Sequence, residues 1–303
     1  MSASSAPAPL PAFADRASTM RAIGRRRALV DRAVTGLCLL ATLIGLLFLA
    51  SIIFTLLSRG LGALDLGIFS TEFQPTSYGD ATLPKVGLLH AIVGSLIQVG
   101  IATAIGTPIG MLVGTYLAEY ARQSALGNTV RFVSDILLSA PSILVGLFVY
   151  QIVVLPFGGF SGIAGALALA IIVIPVVVRT TEDMLQLVPN TLREAVIALG
   201  APKWKMITLI CYRSVSAGLI TGVLLAVARI AGETAPLLLT SFGNSVMSLD
   251  LGSAMASLPI AIYQQANSGF PDLIAIAWSG ALLVTLGVLA INIAARVLLR
   301  KRR

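Results

Sequence analysis

Charge is what this chain has least of. Asp, Glu, Lys and Arg make up 11% of its 303 residues while 57% are hydrophobic, which excludes the solvated, mixed-charge surface of an ordinary water-soluble domain. Acidic residues are the scarcer sign, 13 against 21 Lys and Arg. Histidine occurs once, as His90, and cysteine twice, as Cys38 and Cys211. Neither a disulfide framework nor a His/Cys metal site can be assembled from so few ligands at such spacings, so no metal is expected, and both thiols read as inert core residues. The phosphate-binding loop Gly-x-x-x-x-Gly-Lys-Ser/Thr is absent, so the chain is not expected to bind nucleotide through such a loop. Residues 1–19 are rich in Ala, Pro and Ser with little to bury, and are expected to be disordered; they do not read as a signal peptide.

What remains is a series of long uncharged runs. A charge near the middle of a bilayer costs at least about 2.5 kcal/mol unless it is paired or hydrated, so such runs mark membrane spans. Residues 33–58 give one span and 86–118 a second, each longer than the roughly 20 residues that cross the hydrocarbon. Residues 136–178 hold 43 uncharged positions, enough for two crossings, with Pro156-Phe157-Gly158-Gly159-Phe160-Ser161-Gly162 as the turn between them. Residues 214–240 and 273–295 supply the fifth and sixth. The predicted fold is all-α and polytopic, six transmembrane helices with both termini on one side. With those termini cytoplasmic, 18 Lys and Arg fall inside and only Arg59 and Lys85 outside. The positive-inside rule selects that orientation, and attraction of the basic tails to anionic headgroups accounts for the net charge of +8 without nucleic acid.

The most informative segment is the 35-residue loop 179–213, far longer than a connection between packed helices requires. Thr191-Leu192-Arg193-Glu194 has capping-box spacing, so Thr191 is expected to cap a short helix and Glu194 to reach back to it. Leu192, Val196 and Leu199 form an apolar stripe flanked by small Ala195 and Ala198. Gly200 is placed to end the helix in the left-handed conformation and Pro202 to begin another. A helix–corner–helix unit outside the bilayer with an apolar ridge needs a partner surface to cover it. The alternative is that the stripe folds back onto the helix ends.

Glu194-Ala195-Val196 followed by Gly200 resembles the EAA loop of ABC-importer permeases, with Val196 in place of the second alanine and Tyr212-Arg213 where many have Leu-Pro. Arg179-Thr180-Thr181-Glu182, Leu187-Val188-Pro189, Gly200-Ala201-Pro202-Lys203-Trp204-Lys205 and the run Ala228-Arg229-Ile230-Ala231-Gly232-Glu233-Thr234-Ala235-Pro236-Leu237-Leu238 are together similar to the PstA-type permeases of phosphate-uptake ABC transporters. The resemblance covers residues 86–298. It implies a type I ABC-importer permease architecture in a bacterial plasma membrane, with no catalytic chemistry on this chain. It further implies a coupling helix formed by Thr191, Leu192, Glu194, Ala195, Val196, Leu199 and Gly200 that docks on an ATPase. The implied partners are a PstB-type ATPase dimer carrying ATP-Mg, a second permease of the PstC type and a PstS-type phosphate-binding protein. The implied organisation is a disordered basic tail 1–32, a first helix and outer loop 33–85, the permease core 86–298 with coupling loop 179–213, and a basic tail 299–303.

Two cations and one carboxylate bear on the pathway. Arg229 and Glu233, four apart, share a helix face and can pair deep in the fifth span, where a planar guanidinium suits an oxyanion and the carboxylate keeps binding weak. The same pair also reads as a packing contact beside a bend at Gly232 and Pro236. Arg179 at the end of the fourth span either releases an anion or extends toward headgroups. His90 reads as a packing residue. In span two, Gly106, Gly110 and Gly114 offer close helix contact, with Thr107-Pro108 as a possible bend. Residues 251–263 are expected to lie at the membrane surface rather than to cross, and Trp204 and Trp278 read as interface or packing aromatics. Three competing functions remain open: a permease for another oxyanion or polar solute, an ion-coupled carrier using Arg229 and Glu233, and a rhomboid-like protease using Ser161 and His90.

Overall fold

The computed structural model describes residues 13–71 and 87–300. The expected disorder of residues 1–12, and Glu72, Asp80, Lys85, Lys301, Arg302 and Arg303, lie outside them. Regular structure among the described residues is helical, apart from one isolated bridge between Phe242 and Met255. By its contacts the chain divides into Met1–Thr55 and Leu56–Arg303. Helix α1 (Phe13–Gly62) crosses that boundary. Residues 13–32, expected as disordered tail, are helical, because beyond Pro11 the run is built largely from Ala, Arg, Met and Leu and contains no further proline. Its Arg27–Gly62 part is long and apolar enough to cross a membrane. Leu37, Phe48 and Phe54 on it are exposed, an arrangement suited to hydrocarbon rather than water.

The centre of the second unit is the pair α2 (Leu89–Glu119) and α5 (Gly162–Gln186). Glycine at every fourth position lets the two backbones approach. A Cβ on Gly106 would stand 2.8 Å from Val173, on Gly110 2.7 Å from Val177 and on Gly114 2.6 Å from the Val178 carbonyl oxygen. Leu169, Val173 and Val177 of α5 continue into a core shared with Ala226, Ile230, Leu237 and Ile260. Pro108 and Pro175 lie inside their helices without ending them, so the glycine stripe acts here as a packing groove.

Among the described residues, four helices are long and apolar enough to span a bilayer, and two bent pairs raise the number to six if each is one span. The first pair is α3 (Ala125–Ser139) and α4 (Ser142–Phe157), bent by 104°; the second is α7 (Lys203–Ser214) and α8 (Ser216–Ala231), bent by 77°. The third candidate crossing is therefore a broken pair of helices rather than one straight run from residue 136, because Ala140 and Pro141 take extended conformations between the helices. The expected hairpin is present: α4 ends at Phe157, Gly158 turns the chain at φ +81°, and Ser161 opens α5 by accepting a hydrogen bond from the Ala164 amide. The fifth crossing is interrupted at Gly232, where α8 stops, and resumes as the short α9 (Ala235–Thr240).

Two helices close the bundle, α10 (Leu258–Ala266) and α11 (Pro271–Arg300). Residues 251–263 do not form a crossing helix, since Leu258–Ala266 is only 9 residues long, and they pack into the bundle, with Leu258, Ile260 and Ala261 buried. Side chains of α2 meet the incoming backbone: Ser95 Oγ accepts the Leu258 amide at 2.6 Å and Gln98 Nε2 donates to the Ala256 carbonyl at 3.1 Å. Irregular backbone is tolerated deep in an apolar bundle only when its polar groups are satisfied in this way. Gly94 gives it room, as a Cβ there would lie 2.1 Å from the same carbonyl.

Overpacking a tight contact costs about 1–3 kcal/mol. Gly110→Ile is expected to lower the Tm of the purified protein in detergent, while Gly100→Ala, where a Cβ meets nothing within 4 Å, leaves it unchanged; thermal-shift measurements on both variants check this.

Candidate functional site

The long loop folds as expected into helix, glycine corner and helix. α6 (Asn190–Ala198) ends at Gly200, whose φ of +77° only glycine adopts without strain. The Gly200 amide donates to Ile197 at 2.9 Å and the Ala201 amide to Val196 at 3.4 Å. Pro202 then precedes α7. The capping box is not formed. Pro189 is the residue before the helix, so Thr191 lies in its first turn rather than at the cap, and no side chain caps the helix start. Glu194 is exposed and makes no hydrogen bond or ion pair among the described residues.

The apolar stripe also divides. Val196 turns inward against the buried cluster of Leu185, Val188, Met206, Ile207 and Cys211, so of the two cysteines only Cys211 is a core thiol, Cys38 being exposed. Leu199 is 86% exposed, with Leu192, Ile197 and Trp204 also outward. Thr191, Ala195, Ala198 and Gly200 complete an exposed surface in which small residues leave the larger apolar ones prominent.

What holds α6 in place is a residue that spacing did not single out. Arg193 is 8% exposed. Its Nη2 donates to Glu119 Oε1 at 2.7 Å and to the Leu185 carbonyl at 2.6 Å, Nε reaches Glu119 at 3.1 Å, and Nη1 bonds the Val188 carbonyl and Asn190 Oδ1. One guanidinium thus ties the last residue of α2, carbonyls in and just after the last turn of α5 and the first turn of α6. A second staple runs beside it. Arg131 of α3 donates to Glu182 of α5 at 2.7 Å, to Asn128, and to the carbonyls of Leu117 and Ala121 at the end of α2. Lys203 adds a bond to the Glu119 carbonyl and lies 4.0 Å from the Tyr120 ring centroid. Three of these links, Arg131 to Glu182, Arg193 to Glu119 and Lys203 to Glu119, join positions 51 to 84 apart along the chain.

Arg229 and Glu233 lie on either side of the break that ends α8. The Gly232 amide bonds the Arg229 carbonyl and the Glu233 amide that of Ile230, so the turn continues far enough for the side chains to meet at 3.7 Å. Arg229 is 41% exposed and Glu233 16%; the cation faces away from the core and the carboxylate stands behind it. Arg179 stands between Asp135 at 3.7 Å and Asp183 at 3.3 Å, half-exposed. His90 is buried at the start of α2 and lines a polar cavity of about 200 Å³ with Asn244, Ser257, Gln264 and Gln265. The Ser161 hydroxyl serves as the cap of α5. Trp278 stacks under Arg59, 5.6 Å from ring centroid to guanidinium carbon.

A bundle of spans carrying a stapled, outward-facing helix of this kind has close relatives. Residues 106–303 match the family described as binding-protein-dependent transport system inner membrane component, and the chain belongs to that family. Within it, the chain groups with the phosphate transport system permease proteins PstA. It is 53% identical to that of Pasteurella multocida over 89% of this chain and 95% of the relative, and 50% identical to that of Haemophilus influenzae over 90% and 95%. The PstA 1 protein of Mycobacterium tuberculosis H37Rv is 39% identical over 70% of this chain and 69% of its own length. Among solved structures, the bacterial alginate ABC transporter in complex with its oligosaccharide-bound periplasmic protein matches at TM-score 0.65 and 14% identity, over 91% of this chain and 96% of the other. The inward-facing MetNI methionine ABC transporter matches at 0.60 and 19%, over 71% and 95%. The fold is that of a type I ABC-importer permease.

Removing one partner of a buried ion pair costs about 3–5 kcal/mol because the other charge is stranded. Arg193→Ala is expected to make residues 187–202 rapidly cleavable by added protease while the membrane-embedded helices stay protected, with Arg193→Lys intermediate; mass mapping of limited digests reads the order.

Proposed function

We propose that this chain is the phosphate-conducting permease of an ATP-driven importer, forming half of the pathway with a homologous PstC-type permease. The observation that carries the reading is the stapled α6 with Leu192, Ile197 and Leu199 turned outward beside the free carboxylate of Glu194. A surface of this size and chemistry, held rigid from behind, suits the groove of a PstB-type ATPase subunit, where ATP-Mg is hydrolysed. The charge bias of 18 Lys and Arg to two supports a cytoplasmic side for α6 and both termini. A PstS-type binding protein then delivers phosphate to the opposite mouth.

In this reading ATP binding closes the ATPase dimer, and the two permeases' coupling helices are drawn together. Arg193 passes that displacement to α2 and α5, and the bundle exchanges inward for outward access; hydrolysis resets it. No bond to phosphate is made or broken by the chain. Arg229 offers planar donors to the anion as it loses water, and Glu233, 3.7 Å behind, limits how tightly it is held. Weak holding is what a conduit requires. At the inner end an anion meets Arg179 only in competition with Asp135 and Asp183, which favours release.

Other oxyanions share this chemistry, so the substrate is tested directly. With all four components reconstituted in vesicles, unlabelled phosphate is expected to suppress labelled phosphate uptake where equal sulfate or molybdate does not; equal competition by sulfate rejects the assignment. Arg229→Gln is expected to depress uptake with the ATPase still bound. Gly200→Val, which forces a β-branched residue to a φ of +77°, is expected to abolish ATP-dependent uptake while insertion persists. Uptake driven by an ion gradient without the ATPase would instead identify a secondary carrier.

A further inference from the structure

Helix α3 (Ala125–Ser139) turns its largest apolar side chains outward. Its inner side meets the protein through buried Gly127 and through part-buried Val130 and Arg131, which bonds Glu182 of α5, while half-exposed Asp135 pairs with Arg179 of α5 at the flank. On the opposite arc stand Leu126, Thr129, Phe132, Val133, Ile136 and Leu137, a pattern set by the 3.6-residue period. All six are exposed, Leu126 to 60% and Phe132 to 65%. Water would select the opposite rotation of this helix.

We propose that α3 lies in the plane of the membrane, its apolar arc sunk into the lipid leaflet at the end of the bundle that carries α6. Three observations select lipid as the occupant. The helix turns by 104° from α4, so when α4 crosses the bilayer α3 runs nearly parallel to its surface. Beyond Pro141 the exposed apolar surface continues on α4 as Ile143, Leu144, Leu147 and Phe148, so the arc is the edge of a surface that belongs to a membrane span. Finally, the arc offers nothing to set a protein partner's register. Its one polar side chain, Thr129, spends its hydroxyl on the Ala125 carbonyl at 3.1 Å, whereas protein interfaces carry about one hydrogen bond per 100–200 Å². Hydrocarbon demands no such bond. An interfacial helix of this type buries its apolar face by about 5–10 Å into the headgroup and acyl boundary. The Arg131–Glu182 bond and the Asp135–Arg179 ion pair, both between α3 and α5, then fix the level at which the bundle sits in that leaflet.

The inference concerns the lipid contact alone and is tested independently of the substrate. In the assembled transporter in vesicles, with Cys38 replaced by Ser, an environment-sensitive fluorophore is attached in turn at Leu126→Cys, Phe132→Cys, Val133→Cys and Ile136→Cys. Each is challenged with lipids brominated on the acyl chain and with aqueous iodide. Blue-shifted emission lost to the brominated lipids but not to iodide is the expected result. Quenching by iodide, or by neither agent because protein covers the arc, overturns the proposal. A label-free arm compares Phe132→Leu with Phe132→Asp: the aspartate alone is expected to lower the Tm in bilayers, and equal Tm values count against lipid burial.

Discussion

The structure depends on one buried guanidinium. In a chain with so little charge, Arg193 is taken out of water beside Glu119 and given five hydrogen bonds, which is the condition under which a buried cation is tolerable at all. Its partners belong to α2, to the end of α5 and to α6. The two central helices and the protruding helix are therefore locked by the same group. Without that lock α6 would be a short helix on a long loop, too brief to persist on propensity alone. With it, the exposed residues of α6 are presented from a fixed base.

The same economy of polar groups runs through the bundle. Several departures from regular helix are met by a specific donor or acceptor: Ser161 at the start of α5, Ser95 and Gln98 beneath the strand of chain leading into α10, Arg131 at the end of α2. The interruption at Gly232 follows this rule through the amides of Gly232 and Glu233, which keep their carbonyl partners while the helix axis ends. The break puts a cation and a carboxylate at the edge of the bundle without stranding either.

Much of this was legible from residue order because the relevant physics is local. Uncharged runs marked the spans, glycine at every fourth position marked α2 as a helix in close contact with some neighbour, and Gly200 with Pro202 marked the corner. Three readings departed from the structure for identifiable reasons. Thr191 and Glu194 have the spacing of a cap, but Pro189 starts the helix earlier and displaces them from that role. The uncharged run beginning at Ile136 hid the turn at Ala140 and Pro141, because hydropathy is blind to direction. The continuous helix through residues 13–32 was masked by a basic composition that reads as tail. Residues 251–263 read as a segment that does not cross, but the groups that satisfy their backbone lie about 160 positions away and left no local signal. The staples themselves could not be read, since nothing in the neighbourhood of Arg193 points to Glu119.

The glycine groove has a mechanical consequence. Where α2 meets α5 the contact is backbone against side chain with no slack, so neither helix can slide or roll without the other. They make a single stiff beam. A push applied at its loop end is delivered to the far end with its full stroke, and the compliance that any cycle of the machine demands must be sought in the interrupted segments around it.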